Sequence, residues 1–105
     1  RHEVFVTFDE ICQTAAQMLK CGGRLALVHR GWRLVELFCT MKAYNLEPKR
    51  MRLVHPKAGE APNLVLIEAV KDGREGLKVD APLFVRDKNG ETTAEIDRIY
   101  HRNEE

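Results

Sequence analysis

The apolar positions of the chain change period from segment to segment, and the central segment is Leu25-Ala26-Leu27-Val28. This unbroken run is led in by Gly22-Gly23-Arg24 and followed by His29-Arg30-Gly31. A short continuous apolar run suits a strand buried on both faces, as in a parallel sheet covered by helices. Before it, Ile11, Cys12, Ala15, Ala16, Met18 and Leu19 recur at three- and four-residue steps, which predicts a helix with one buried stripe. Thr7-Phe8-Asp9-Glu10 has the form of a capping box and marks the helix start. Lys20 suits the negative helix end, and Gly22-Gly23 supplies a left-handed stop.

Beyond the central run, a second helix opens at Arg30 or Gly31, with Trp32, Val35, Leu37, Phe38, Met41 and Tyr44 on a broad apolar face. Asn45 can end it in the left-handed conformation, and Pro48 forbids its continuation. From Lys49 to His55, basic and apolar residues alternate, a period-two strand with Met51 and Leu53 on one face and Arg50, Arg52 and Val54 on the other. Strand, crossover helix and strand imply one sheet with a right-handed connection. Residues 56–62 form a loop, and the apolar run Leu64-Val65-Leu66-Ile67 returns antiparallel to make a ribbon at the end of a mainly parallel sheet. Two short extended pieces broken by Pro82, an Asn89-Gly90 turn and a helix from Thr93 to Tyr100 follow. The leading fold class is therefore α/β. Val4-Phe5-Val6 is a brief extended or loop segment, and Asn103-Glu104-Glu105 a frayed end.

Composition narrows the function only slightly. With 105 residues, 44% hydrophobic and 31% charged, the chain has the make-up of one soluble domain or part of one. A formal net charge of +1 gives no global pull towards polyanions, so any such contact has to come from a local patch. Cys12, Cys21 and Cys39 lack the paired spacing of a metal site and read as free thiols in a reducing, cytoplasmic setting. There is no secretory signal pattern and no apolar run of membrane-spanning length. The chain opens on Arg1 and enters patterned sequence almost at once, which leads us to expect a piece of a longer protein.

Candidate chemistry gathers where the strands end, since ligands of α/β sheets bind beyond the carboxyl ends of parallel strands. His29 and Arg30 close the first strand, His55 and Lys57 the second, and Asn63 begins the return, so these five should meet along one edge. With Arg33, Lys49, Arg50 and Arg52 they form a candidate rim for an RNA phosphate backbone, which positions a nucleic acid without reading its sequence. The plainer alternative makes Arg50 and Arg52 solvated charges or partners of Glu36 and Glu47. Histidines at strand ends are more often satisfied structural groups than catalytic bases, and Trp32 fits either base stacking or, at helical spacing with Val35 and Phe38, a core position. Neither a metal site nor a cysteine nucleophile has support: the spacings are wrong, and Cys12 and Cys39 fall within helices.

One resemblance covers nearly the whole chain. The succession Leu19-Lys20-Cys21-Gly22-Gly23-Arg24-Leu25-Ala26-Leu27-Val28-His29-Arg30, then Arg33-Leu34-Val35-Glu36-Leu37, then Leu46-Glu47-Pro48-Lys49-Arg50-Met51-Arg52-Leu53-Val54-His55-Pro56-Lys57 resembles the C-terminal half of the bacterial tRNA(Val) adenine-N6-methyltransferase family. Ala61-Pro62-Asn63, Val65-Leu66-Ile67-Glu68-Ala69, Ala81-Pro82-Leu83-Phe84-Val85 and Ile99-Tyr100 are similar to the family's ending. The resemblance implies the C-terminal portion of a Rossmann-like, seven-stranded sheet, with residues 1–73 in the core and residues 74–105 as an extension packed on it. It implies S-adenosylmethionine as cofactor and tRNA or another RNA as substrate of the parent protein. The family's Gly-rich cofactor loop and Asn-Pro-Pro-Tyr type motif have no counterpart in these residues, so the isolated chain is expected to bind no cofactor and transfer no methyl group. With the resemblance set aside, a small non-catalytic α/β module binding RNA or a protein stays open. In either case an uncovered sheet edge leads us to expect dimerisation or exchange of elements between chains.

Overall fold

The computed structural model describes residues 6–101. Its first helix, α1 (Phe8–Met18), starts where the capping box places it: the Thr7 hydroxyl accepts from the Glu10 N–H at 3.1 Å. In place of the reciprocal backbone bond, that hydroxyl donates to the Glu10 carboxylate at 3.0 Å. The buried stripe is Phe8, Cys12, Ala15 and Leu19, while Ile11 and Met18 of the predicted stripe face solvent. Leu19 already has extended backbone, so the helix stops before Gly22, whose φ of +87° serves the turn into the first strand.

Strand β1 (Arg24–Arg30) alternates between exposed and half-buried positions instead of being covered on both faces, with Val28 59% exposed. The physical reason is its place at the border of the described sheet with helices on one face only. A single 3-10 turn (Gly31–Arg33) leads into α2 (Leu34–Ala43), which Asn45 ends in the left-handed region at φ 60°. Leu37 and Met41 are fully buried against the sheet, with Leu34, Phe38 and Tyr44 beside them. Trp32 and Val35, expected on this face, are each 78% exposed: Trp32 belongs to the 3-10 turn, and Val35 is in α2 but off the stripe that buries Leu37 and Met41.

Strand β2 (Leu46–Lys57) is longer at both ends than the alternation predicts and contains Pro48 and Pro56. A β-bulge between Pro48 and Arg50 accommodates the first of these, since proline donates nothing to a ladder. Strand β3 (Leu64–Lys71) pairs antiparallel with β2 on one side and antiparallel with β1 on the other. The strands β1 and β2 are thus parallel but not adjacent, and the antiparallel partner of the expected ribbon lies between them. Short β4 (Lys78–Val79) and β5 (Leu83–Arg86) add in parallel to the far side of β2. The final helix, α3 (Ala94–His101), follows a turn in which Gly90 has φ +83°. Expectations for residues 1–5 and 102–105 lie outside the described residues.

Two cores result, one on each face of the sheet. Helices α1 and α2 cover the first, where Cys12, Leu37, Met41, Leu46, Met51, Val65, Ile67 and Ala69 are buried. On the second face Ile96 of α3 closes over Val54 and Leu83 with Leu64, Leu66 and Val85, which leaves the part over β1 uncovered. Mixed α/β layering with parallel and antiparallel strands is the fold class that the periodicities predict. Leu37→Ala, at a site with no exposed surface, is expected to lower unfolding free energy by about 2–5 kcal/mol in urea titration. Val35→Ala, two residues away and largely exposed, should stay within about 0.5 kcal/mol of the parent.

Candidate functional site at the carboxyl end of the sheet

Strand register decides which candidate residues meet. Arg30 of β1 and Val54 of β2 both lie opposite Leu64 of β3, so the carboxyl ends of the two parallel strands emerge at the same end of the sheet. Asn63 joins them through its backbone: its N–H donates to the Val54 carbonyl at 3.0 Å, and its carbonyl accepts from the Gly31 N–H at 3.2 Å. His29, Arg30, Arg33, His55, Lys57 and Asn63 are therefore brought to one end, as their positions in the sequence predict. Arg52 and Arg50 are on the same strand as Lys57 but five and seven residues back, roughly 17 and 23 Å at about 3.3 Å per residue.

The side chains at this end differ in what they are free to do. His29 faces α1, its ring meeting Phe8 edge to face at 5.9 Å, and its Nδ1 accepts from the Arg30 N–H at 2.8 Å. His55 rests against the Phe84 ring at 4.7 Å and donates from Nδ1 to the Glu60 carbonyl at 2.8 Å, which in the neutral imidazole leaves Nε2 as an acceptor. Arg33 makes a two-point pair with Glu36, at 2.8 and 2.7 Å, and its guanidinium lies 5.5 Å from the centre of the Trp32 ring. Arg30, Lys57 and Arg86 have no carboxylate partner among the described residues. Lys57 and Arg86 are opposite each other in the β2–β5 ladder, so two cations share that corner. The carboxyl end thus groups the cations Arg30, Lys57 and Arg86 with the acids Glu60, whose carbonyl holds His55, and Asp87, which follows Arg86.

Arg50 and Arg52 have carboxylate partners, though not Glu36 and Glu47. Arg50 pairs with Asp80, which raises its already high pKa, and Arg52 bonds Glu95 at 2.6 Å and the Ala81 carbonyl at 2.8 Å. These bonds fasten the β4–β5 segment and α3 to the sheet. Glu36 is taken by Arg33, and Glu47 by Lys42 at 2.8 Å.

A shallow groove of about 420 Å³ lies on the uncovered second face, a feature that the periodicity does not reveal. Ala26, Val28 and Leu66 contribute apolar floor, and Arg50, Arg52, Glu68 and Asp80 contribute charge. The signal available in sequence was the parity of β1: Ala26 and Val28 share one face, Leu25 and Leu27 the other, and only the second set has helical cover.

Strands β1 and β2 end in the cations Arg30 and Lys57. Gly22 and Gly23 stand at the opposite end, before β1. Among the described residues no group of three or more His, Cys, Asp or Glu side chains is arranged to hold a metal ion. No helix among them is long and apolar enough to cross a membrane.

No protein-family model matches the chain, and no curated protein matches it in sequence. Among solved structures, it is similar to a predicted O-methyltransferase from Agrobacterium tumefaciens, with a TM-score of 0.79 and 26% sequence identity. The fold is methyltransferase-like. The match covers 88% of this chain but 44% of that protein, so the chain spans less than half the length of the structure it resembles.

Cys12 is the buried thiol of the methyltransferase-like core, and burial first, then the Asp9 charge, pushes its pKa up from 9.0 to about 11. A raised pKa keeps the thiol neutral and unreactive. In Ellman titration at pH 8 the exposed Cys21 and Cys39 should react at once, and Cys12 only after unfolding. Because the folded value exceeds the unfolded one, its contribution to stability is full below pH 9 and is lost between about 9 and 11.

Proposed function

We propose that this chain is the C-terminal portion of an S-adenosylmethionine-dependent methyltransferase that modifies adenine N6 in tRNA. The observation that carries the reading is the joint arrival of two parallel strand ends, closed by Arg30 and Lys57, and Asn63 at one end of the sheet, within a methyltransferase-like fold. Arg30, His55 and Lys57 are the residues assigned to the RNA backbone there, with His29 and Asn63 shaping the end and Arg33 held by Glu36 beside them. Arg50 and Arg52 belong to this surface only where an RNA extends along the second face, since both are already paired. The choice of adenine N6 rests on the sequence resemblance of the segments Leu19–Arg30 and Leu46–Lys57. A hydroxyl acceptor is the second reading, favoured by the description of the similar structure as a predicted O-methyltransferase.

On this reading the methyl donor is held by residues outside this chain, and β1 and β2 contribute the cations Arg30 and Lys57 at their carboxyl ends. A cytoplasmic location fits three free cysteines and an RNA substrate. Among the described residues β1 borders the sheet and pairs on one side only, and the proposal includes a second copy of the chain pairing along its other side.

Methyl transfer from isotopically labelled S-adenosylmethionine to unmodified tRNA, followed by nucleoside digestion, tests the assignment. The longer protein carrying this segment should yield N6-methyladenosine, and the 105-residue chain alone should show neither transfer nor calorimetric binding of the cofactor. Label on a ribose hydroxyl would replace the first reading with the second, and no label on RNA would remove the first. Light scattering of the 105-residue chain should give about twice its 12.1 kDa mass, whereas a monomer would refute pairing through β1.

A further inference from the structure

Trp32 is the single tryptophan of the chain and is 78% exposed, although at helical spacing it would have been core. Its position is specific: it sits in the 3-10 turn immediately after the carboxyl end of β1, between Arg30 and Arg33. The Arg33 guanidinium lies over the indole at 5.5 Å and is itself held by two bonds to Glu36. That stack fixes the ring, while the large exposed fraction leaves indole surface in solvent. Val35, one helical turn on and equally exposed, extends the apolar edge.

We propose that Trp32 is a stacking platform for an unpaired nucleobase, with Arg30 meeting the adjoining phosphate. The proposal rests on the RNA-substrate reading above and adds to it the residue that receives a base. Flat aromatic surface bordered by cations is the chemistry of single-strand recognition, because every base has a π-face and every nucleotide a negative charge. A duplex keeps its base faces stacked internally, so the ligand class is unpaired RNA. Charge beside the ring favours nucleic acid over an apolar protein surface: Arg30, two residues before Trp32, has no carboxylate partner among the described residues. Glu36 is already neutralised by Arg33, which removes the nearest repulsive charge on α2.

Because no other tryptophan contributes, indole emission reports this site directly. Titrating a short single-stranded oligoadenylate into the chain at low salt should quench Trp32 saturably, and a duplex of equal length should not. Anisotropy of the labelled oligonucleotide should show binding weakened about tenfold in Trp32→Ala and largely kept in Trp32→Phe. Arg30→Ala should weaken binding and flatten its salt dependence. Circular dichroism should show unchanged melting in Trp32→Ala, since the ring is exposed. Oligonucleotide binding with unchanged indole emission, or with equal affinity in Trp32→Ala, would overturn the platform and leave the RNA reading standing. No binding by anisotropy would remove both. An emission blue shift on raising protein concentration without RNA would overturn the platform in favour of a protein contact.

Discussion

The structure depends on β3 having hydrogen-bonded neighbours on both sides. A strand paired twice leaves no edge of its own, and Val65, Ile67 and Ala69 from its inner face lie at the centre of the larger core. Leu64 and Leu66 point the other way and join the smaller core under α3. One strand therefore supplies both hydrophobic layers and sets the spacing between β1 and β2. At its far end the ladder is closed by Gly22 N–H to the Lys71 carbonyl at 2.9 Å and Lys71 N–H to the Gly23 carbonyl at 2.8 Å. The glycines before β1 thus serve the closure of the sheet as well as the turn.

The same arrangement positions the chemistry. Because β1 and β2 are each antiparallel to β3, they must be parallel to one another, and their carboxyl ends cannot separate without breaking the β3 ladder. The meeting of Arg30 and Lys57 at one end is a consequence of that geometry. Cations farther back on β2 have a different task. Arg52 reaches Glu95 and the Ala81 carbonyl, tying α3 and the approach to β5 onto the sheet in partly buried surroundings, where a hydrogen-bonded pair is worth more than on an open surface.

Most elements were legible from local pattern. Thr7 and Glu10 announce α1, Asn45 announces the end of α2, and the alternation around Met51 announces β2. Long-range order was less visible. Nothing in the run Leu25 to Val28 says whether both faces are covered, since an unbroken apolar run is compatible with a strand that has one helical layer. Trp32 misleads for a related reason: hydrophobic spacing was projected through Gly31–Arg33 as though the α-helix had begun, whereas Val35 is in α2 itself but off the Leu37 and Met41 stripe. The partners of Arg50 and Arg52, Asp80 and Glu95, are 30 and 43 residues away in sequence and could be found only from the fold. The candidate end itself was legible, because it requires only strand direction.

The insertion of β3 between β1 and β2 also imposes an order in time. During synthesis β1 leaves the ribosome before β3, the neighbour it has among the described strands, which follows only after α2, β2 and the loop before Asn63. At roughly 5–20 residues per second this is a wait of seconds, far longer than a hairpin needs to form. The β2–β3 hairpin, local in sequence, is then the natural nucleus, and β1 docks onto it as a late arrival. Until that docking, Leu25, Leu27 and Val28 lack the ladder that β3 supplies, and the nascent chain at that stage is open to misassembly.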